Sequence, residues 1–455
     1  MLNRVSKTDR SPIIPESLST VSDPLPSDIC IQQTKTGRAN IFTRVVVSAT
    51  INRNNNARLV NSNMPQVDSY DVVVIGAGSI GCSTADHLAD DHDVLVLEKG
   101  ELEESASANA SAFISDWWFF LEGEYIPGVT AKIRDYFREL SATGGFEFYD
   151  QPFISLVDEE DINTPETRKM RENAEKIPGI EYFNADELAE AYPDVLNLEG
   201  FVGGIVDTEA GYVKPRPYLR AMKERAERRG AEFEFGTEVT GIETEAGSVA
   251  GVTTDTGDLV QCDSVVVAAG THTESVVAEF TDLPVRPFVI CAAAVRGDPS
   301  FSGSVPTTSG RGTLIGPNAD GDLLVGDEYW IEDLDSIPRD FPEEAQEKVG
   351  KLLPQLFTGF DGGLEYVDGG EHHCPEGITI TPDQVPVIDE VGDVDGLVVA
   401  DGSRGAVSLA PVIAVAVQSI LTGTETEFSL DRFAIDRFDL EDPEYDLPMI
   451  TEPRS

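Results

Sequence analysis

Basic residues are scarce in this 455-residue chain. Its 33 Lys and Arg, only ten of them Lys, stand against 82 Asp and Glu, for a formal net charge of −49. A surface this acidic repels phosphate backbones, which argues against a nucleic-acid partner. Cysteine is scarce as well: Cys30, Cys82, Cys262, Cys291 and Cys374 are too few and too scattered for a disulfide framework. No CxxC pair offers a zinc site, so no metal is expected, and a reducing cytoplasm fits best. Long apolar runs are missing too, since a membrane span needs about 18 uncharged apolar residues. The longest run, Val407 to Leu421, contains Ser408, Pro411, Gln418 and Ser419 and reads as a buried helix. Little lysine beneath many carboxylates resembles the composition of salt-loving organisms, so the acidity reports habitat more than substrate. At molar salt the Debye length is about 3 Å, and such charges steer nothing over distance.

The first 63 residues depart from this picture. They carry eight basic and four acidic residues, a net +4 that leaves −53 for the rest of the chain. The stretch is rich in Ser and Asn, shows no sustained periodicity and lacks the apolar core of a secretory signal. Residues 1–66 are expected to be either a disordered tail or an extension upstream of a true start at Met64.

Organisation begins at Tyr70. Asp71-Val-Val-Val-Ile75 is the apolar run of a buried parallel strand, and Gly76-Ala-Gly78-Ser-Ile80-Gly81 follows at once. Ser83 to Asp91 reads as helix, then Asp93 to Leu97 as a second strand ending in Glu98, 17 residues after Gly81. In this pattern the first glycine permits the tight turn, and the second admits a pyrophosphate against the backbone. The third lets helix pack on strand, and the carboxylate accepts from ribose hydroxyls. Strand, glycines, helix, second strand and acid all fall at the spacing that a dinucleotide requires.

Further on, Lys214 to Gly230 reads as a helix closed by glycine. Glu232 to Val239, Ser248 to Thr254, Asp258 to Gln261 and Cys262 to Gly270 read as strands. From Leu283 to Gly369 the pattern is strand-like, interrupted by a helix over Glu343 to Phe357. Leu397 to Ala400 is a last parallel-type strand leading into an apolar helix near Leu409.

Three other segments decide which dinucleotide. A small-residue stretch, Glu104-Ser105-Ala-Ser-Ala-Asn109-Ala110-Ser111-Ala-Phe113, follows Glu98, Lys99 and Gly100. Far downstream stand Thr381-Pro-Asp-Gln-Val-Pro-Val-Ile-Asp389 and Asp401-Gly-Ser-Arg404-Gly-Ala-Val-Ser-Leu-Ala-Pro411. Together with Val-Ala-Ala-Gly270, these resemble the D-amino-acid oxidase family of FAD enzymes over about residues 69–435.

The resemblance implies an α/β fold with a discontinuous Rossmann-type FAD domain (67–130, 200–284 and 375–435). A mainly antiparallel β substrate domain (131–199 and 285–374) and a tail (436–455) complete it. It implies one non-covalent FAD, with Gly76, Gly78, Ile80 and Gly81 at the pyrophosphate and Glu98 at the ribose, Lys99 beside it. Ser105, Ala110 and Ser111 lie along the phosphates and flavin, Val239 at adenine and Gly270 near the cofactor. Gly402, Arg404, Gly405 and Ala406 meet the isoalloxazine edge. Ser111 and Ala406 stand where many relatives have Gly, and Asp401-Gly402 where Gly-His is common.

The implied chemistry is oxidation of an amino acid or N-methylated amine at its C–N bond by hydride transfer to flavin N5. The flavin carries the difficult step, and the protein orients the substrate. Arg404 has three readings: pairing with a substrate carboxylate, stabilising the reduced ring, or bonding loop carbonyls. Tyr329 and Trp330 are candidates for the substrate pocket as well as for packing, and Trp117 to Phe120 for core. His372, His373 and Cys374 lack metal-ligand spacing, and Cys374 is out of register with the family's covalent-attachment cysteine. Ile378 stands where glycine oxidases carry an arginine. Leu324 stands where sarcosine oxidases carry the lysine that promotes oxygen reduction, which favours a dehydrogenase with an unidentified electron acceptor. The alternatives are an FAD-binding assembly protein and a subunit of a larger dehydrogenase complex.

Overall fold

The computed structural model describes residues 69–110, 112–115, 130–159, 162–193, 196–296, 314–317, 323–330, 347, 350–351, 365–373 and 377–438. Residues 1–66, Ser111, Trp117 to Phe120, Lys348, Cys374 and most of the 343–357 helix expectation lie outside them. All described residues belong to one compact unit, Pro65–Ser455.

The apolar runs meet in an eight-stranded sheet. Ser69–Ile75 pairs in parallel with Val94–Glu98 on one side and Leu259–Val267 on the other. Leu259–Val267 pairs in parallel with Leu397–Asp401, and Val94–Glu98 with Glu232–Phe235. These strands are apolar on consecutive residues because both faces are covered. Val72, Val74, Val96, Val266 and Val398 point into one core, and Val73, Ile75, Leu97, Val267 and Val399 into the other. The first core is roofed by four helices: Ser79–Leu88, Thr130–Ala142, Pro215–Arg229 and Ala406–Thr422. Pro215 starts the third of these, and Gly230, left-handed at φ +118, ends it. Asp86 is buried in Ser79–Leu88 and receives Arg225 Nε at 2.8 Å, which ties that helix to Pro215–Arg229.

Antiparallel strands flank this body. The hairpin Val239–Glu245 and Ser248–Thr254 joins the first half of Leu259–Val267, and Val387–Glu390 joins Leu397–Asp401. A five-stranded antiparallel sheet centres on Arg286–Arg296. That strand pairs with Leu323–Trp330, Glu365–His373 and Ile378–Ile380, while Leu314–Pro317 lies beyond Leu323–Trp330. Two three-stranded sheets complete the architecture, Phe153–Asp158 with Phe201–Asp207 and Ile180–Asn184, and Phe113–Ile114 with Gly211–Val213 and Phe148–Asp150. Among the described residues no helix is long and apolar enough to cross a membrane.

Several elements differ from their sequence-based expectation. The first helix starts at Ser79 rather than Ser83, because the glycine motif itself forms the opening turn. Likewise the last helix starts at Ala406 rather than near Leu409. The two strands expected over 258–270 are one, Leu259–Val267, whose first half pairs antiparallel and second half parallel. Phe201–Asp207, grouped by the sequence with the FAD segments, hydrogen-bonds instead between Phe153–Asp158 and Ile180–Asn184. Thr130–Ala142, most of it grouped with the substrate segments, buries Ile133, Phe137 and Leu140 in the core of the parallel sheet.

Candidate cofactor cradle

Parallel strands end at a common edge, here at Ile75, Glu98, Val267 and Asp401. Gly76 leaves the first of these at φ +103, and a Cβ there would lie 2.5 Å from the carbonyl oxygen of Ala268. A Cβ on Gly81 would collide with the carbonyl oxygen of Gly76. Both positions therefore require glycine, and they press helix Ser79–Leu88 onto the strand end. Gly78 caps that helix without any side-chain hydrogen bond, and no acidic residue occupies the first turn. An acid-free N-terminus leaves its positive end to an anionic ligand.

Glu98 is fixed across this turn. One carboxylate oxygen accepts from the Ala77 amide at 2.8 Å and the other from the Gly100 amide at 2.9 Å. Thr237 N–H donates to the Glu98 carbonyl at 3.0 Å and Gly236 N–H to that of Gly100 at 3.3 Å. Through these bonds half-buried Val239 starts its strand beside the acid. Lys99 Nζ lies 2.8 Å from Nε2 of His272, which follows Gly270 in the turn after Leu259–Val267. Gly270 has φ +57 and open space where a Cβ would be.

The small-residue stretch lies against the helix start. Ser105 caps the short helix Ala106–Asn109 by accepting from Ala108 N–H at 3.2 Å. Ser107 Oγ accepts the Ser79 amide at 3.0 Å and donates to Ser79 Oγ at 3.1 Å. Ser79 Oγ donates to the Ala406 carbonyl at 3.1 Å. Three segments far apart in sequence thus meet at two serines. Half-buried Ala110 follows, and Ala112 is left-handed at φ +50.

The third segment is the turn after Leu397–Asp401. A Cβ on Gly402 would lie 2.9 Å from Ile80 Cδ1, so the two glycine turns touch. Ser403 is left-handed at φ +48, and Arg404 and Gly405 complete the short helical turn Ser403–Gly405. Asp401, 1% exposed, accepts Ser403 N–H and Thr379 Oγ1–H on Oδ1, both at 2.8 Å. Burial pushes its carboxyl up to about 6, against the opposing pull of those two bonds. Ser403 Oγ accepts Thr381 N–H at 3.3 Å, and Thr381 donates to Asp383, which Arg437 grips with Nε at 2.9 Å and Nη2 at 3.1 Å. Arg437, expected to fall in the tail, is therefore part of the support.

The sequence-based site residues divide accordingly. Gly76, Gly78, Ile80, Gly81, Glu98, Ser105, Gly402 and Ala406 come together at the sheet edge. Tyr329 stands in register with Val289 on the five-stranded sheet, linked to the cradle through Ile378–Ile380 and Thr379. Ser79, Ser107, Thr379 and Asp401 were missed as supporting side chains. The Asp-x-Ser spacing at 401–403 was the available signal, since an Asp carboxylate often bonds the amide two residues on.

These residues fit FAD: two glycine-cleared backbone surfaces, an acid-free helix start and a fixed carboxylate are what its phosphates and ribose require. A family model described as FAD dependent oxidoreductase, DAO, matches residues 71–419. Among curated relatives, the bifunctional protein ThiO/ThiG of a Synechocystis strain is 28% identical over 245 residues, 53% of this chain and 35% of that protein. L-2-hydroxyglutarate dehydrogenase of Escherichia coli is 30% identical over 233 residues, 49% of this chain and 52% of that protein. Sarcosine oxidase subunit beta of an Arthrobacter species is 27% identical over 230 residues, 48% of this chain and 55% of that protein. The match thus spans only about a third to just over half the length of these relatives. Among solved structures, glycine oxidase from Geobacillus kaustophilus superposes with a TM-score of 0.71 at 22% identity, over 82% of this chain and 100% of that one. L-proline dehydrogenase from P. horikoshii gives 0.70 at 19% identity, over 81% and 98%. With its glycine turns, its fixed acid and a family match over most of its length, the chain belongs to the DAO family of FAD-dependent oxidoreductases.

Proposed function

We propose that the protein oxidises an amino acid or an N-methylated amine at the C–N bond and passes the electrons to an acceptor other than oxygen. The observation that carries the cofactor half of this reading is Glu98, held by the Ala77 and Gly100 amides beside the Gly76–Gly81 turn. FAD, when bound, supplies a two-electron acceptor at N5. The chain's part is to hold and orient. Gly76, Gly78, Ile80 and Gly81 receive the pyrophosphate, Glu98 and Lys99 the ribose, Ser105, Ala110 and Ser111 the phosphates and flavin. Val239 receives adenine, with Gly270 near the cofactor and Gly402, Arg404, Gly405 and Ala406 at the ring edge. Arg404 is assigned the substrate carboxylate, and Tyr329 the wall of the pocket. The names of relatives such as sarcosine oxidase and glycine oxidase support an amine substrate.

The preference for a dehydrogenase rests on Leu324, which pairs with Ala294 and Gly316 where an oxidase of this type carries lysine. Lys351 is exposed and bound to Glu347 at 2.6 Å. A second reading, oxidation of a 2-hydroxy acid, is favoured by the 30% identity to L-2-hydroxyglutarate dehydrogenase.

Anaerobic bleaching of the bound flavin separates these readings. Bleaching by sarcosine, proline or a D-amino acid is expected, whereas bleaching by 2-hydroxyglutarate alone moves the assignment to C–O oxidation. Glu98→Ala is expected to weaken FAD by about 1.5–3 kcal/mol, through loss of charge-assisted hydrogen bonds. Unchanged affinity in a fluorescence titration removes Glu98 from the site.

A further inference from the structure

We propose that Asp401 tunes the flavin: a buried carboxyl that fixes the Gly402–Ala406 turn through Ser403, and whose charge alters the redox balance of FAD held there. The inference rests on the reading that this turn meets the isoalloxazine edge.

Ser403 holds a left-handed backbone at φ +48, a conformation that favours glycine. Asp401 makes it tenable. Its Oδ1 accepts Ser403 N–H at 2.8 Å, closing a side-chain turn, and accepts Thr379 Oγ1–H at the same distance. One oxygen thereby joins the turn to strand Ile378–Ile380 of the antiparallel sheet. The neighbouring Gly402 has no room for a side chain because Ala406 lies against it, with Ile80 of the first glycine turn close beside. Asp401 therefore sits behind the point where the two cofactor turns meet.

The other carboxylate oxygen sets the charge behaviour. Oδ2 is buried and has no hydrogen-bond partner among the described residues. Burial of a carboxylate disfavours its charged form, and raises the Asp401 pKa to about 6. Among the described residues, charged groups lie on several elements near it, including the Lys99–His272 pair at the turn after Leu259–Val267. Ile378–Ile380 contributes none. Val387–Glu390 sets Val387 opposite Asp401, with Asp389 and Glu390 further along. The turn itself carries Arg404, and the Thr381 loop carries Asp383, paired with Arg437. Burial is the largest cause of the shift and outweighs the two Oδ1 hydrogen bonds, so Asp401 changes charge near neutral pH while its Oδ1 contacts persist in either form. Two-electron reduction adds negative charge to the flavin site, and an anion nearby in a medium of low dielectric opposes it. Ionised Asp401 therefore makes the bound flavin harder to reduce, and neutral Asp401 does not.

The test measures the two-electron midpoint potential of the FAD-loaded protein at pH 5 and pH 8, by equilibration with reference dyes. Asp401→Asn keeps an oxygen for Ser403 and Thr379 and removes the charge. At pH 8 its flavin is expected to be easier to reduce by about tenfold in the equilibrium constant, about 30 mV. At pH 5 the variant and the wild type should coincide. Equal potentials at pH 8, or the same offset at both pH values, overturn the proposal. Thr379→Val deletes a bond that favours the ionised form, so the break in the plot of potential against pH should move upward; an unmoved break also overturns it. Wild-type protein that takes up FAD yet shows no offset from Asp401→Asn refutes this inference alone. Wild-type protein that takes up no FAD refutes the cofactor reading and the inference with it.

Discussion

Two turns at one edge of the sheet have the same task and meet it with different chemistry. Each follows a parallel strand, at Ile75 or at Asp401, and each opens a helix packed in the same core. The N-terminal turn works by absence. Gly76 at φ +103 and Gly81 admit backbone where any side chain would strike a carbonyl oxygen. The C-terminal turn also clears room at Gly402, but holds left-handed Ser403 with the Asp401 carboxyl. Steric clearance is indifferent to pH. A buried acid in the hold gives the second turn a charge that changes with pH.

The largest effect should come from attacking the steric turn. Gly81→Ala places a methyl against the Gly76 carbonyl, which cannot rotate away, and is expected to destabilise by more than about 3 kcal/mol. Thermal unfolding measures this, and a loss under 1 kcal/mol would show a more adaptable turn than the contacts suggest. For the second turn the effect is pH-dependent. The folded pKa of Asp401 lies above its unfolded value, so the native state binds the proton more tightly. The stability this contributes is present below the unfolded value and is lost as pH rises through about 6. Across that window wild-type protein should lose about 3 kcal/mol relative to Asp401→Asn, at about 1.36 kcal/mol per pKa unit. Urea titrations of both proteins at pH 4 and pH 7 give the difference directly, and a pH-independent gap would show that Asp401 does not titrate there.

Smaller effects sharpen the same contrast. Arg437→Ala strips the paired bonds from Asp383 and loosens the Thr381 contact to Ser403, for an expected loss of about 2 kcal/mol. An unchanged melting temperature would make the segment around Arg437 dispensable. Smallest of all is Ser403→Gly. Relief of the left-handed backbone, about 1 kcal/mol, is offset by glycine's greater entropy in the unfolded chain, so the net change should stay within about 0.5 kcal/mol. A large destabilisation would mean that the Ser403 hydroxyl, which accepts from Thr381, matters more than the turn conformation.

The asymmetry between the turns also explains what could be read in advance. The first unit was legible because its information is local: apolar run, glycines, helix and acid fall within a short stretch, and each signal supports the next. Even there the helix start was placed four residues late, since Gly78 and Gly81 look like helix breakers until their packing role is known. The second turn was legible as a motif but not as a mechanism of support. Thr379, Thr381 and Arg437 reach it across long separations that no periodicity records. The partners of Phe201–Asp207 were illegible for the same reason, because strand pairing at a distance leaves no mark on the strand's own sequence.

The long strand Leu259–Val267 has a consequence for how the molecule is made. Ile75 must wait for Val267 to be synthesised before it finds that partner, and Val267 must wait for Val399. Local hairpins and helices can form as the chain leaves the ribosome, but the cradle cannot close until its final strand and the clasp at Arg437 have emerged. Until then the earliest strands expose apolar edges that pair readily with the wrong partner. Such dependence on late-arriving contacts slows folding, so the newborn protein is most vulnerable to aggregation while most of its sheet already exists.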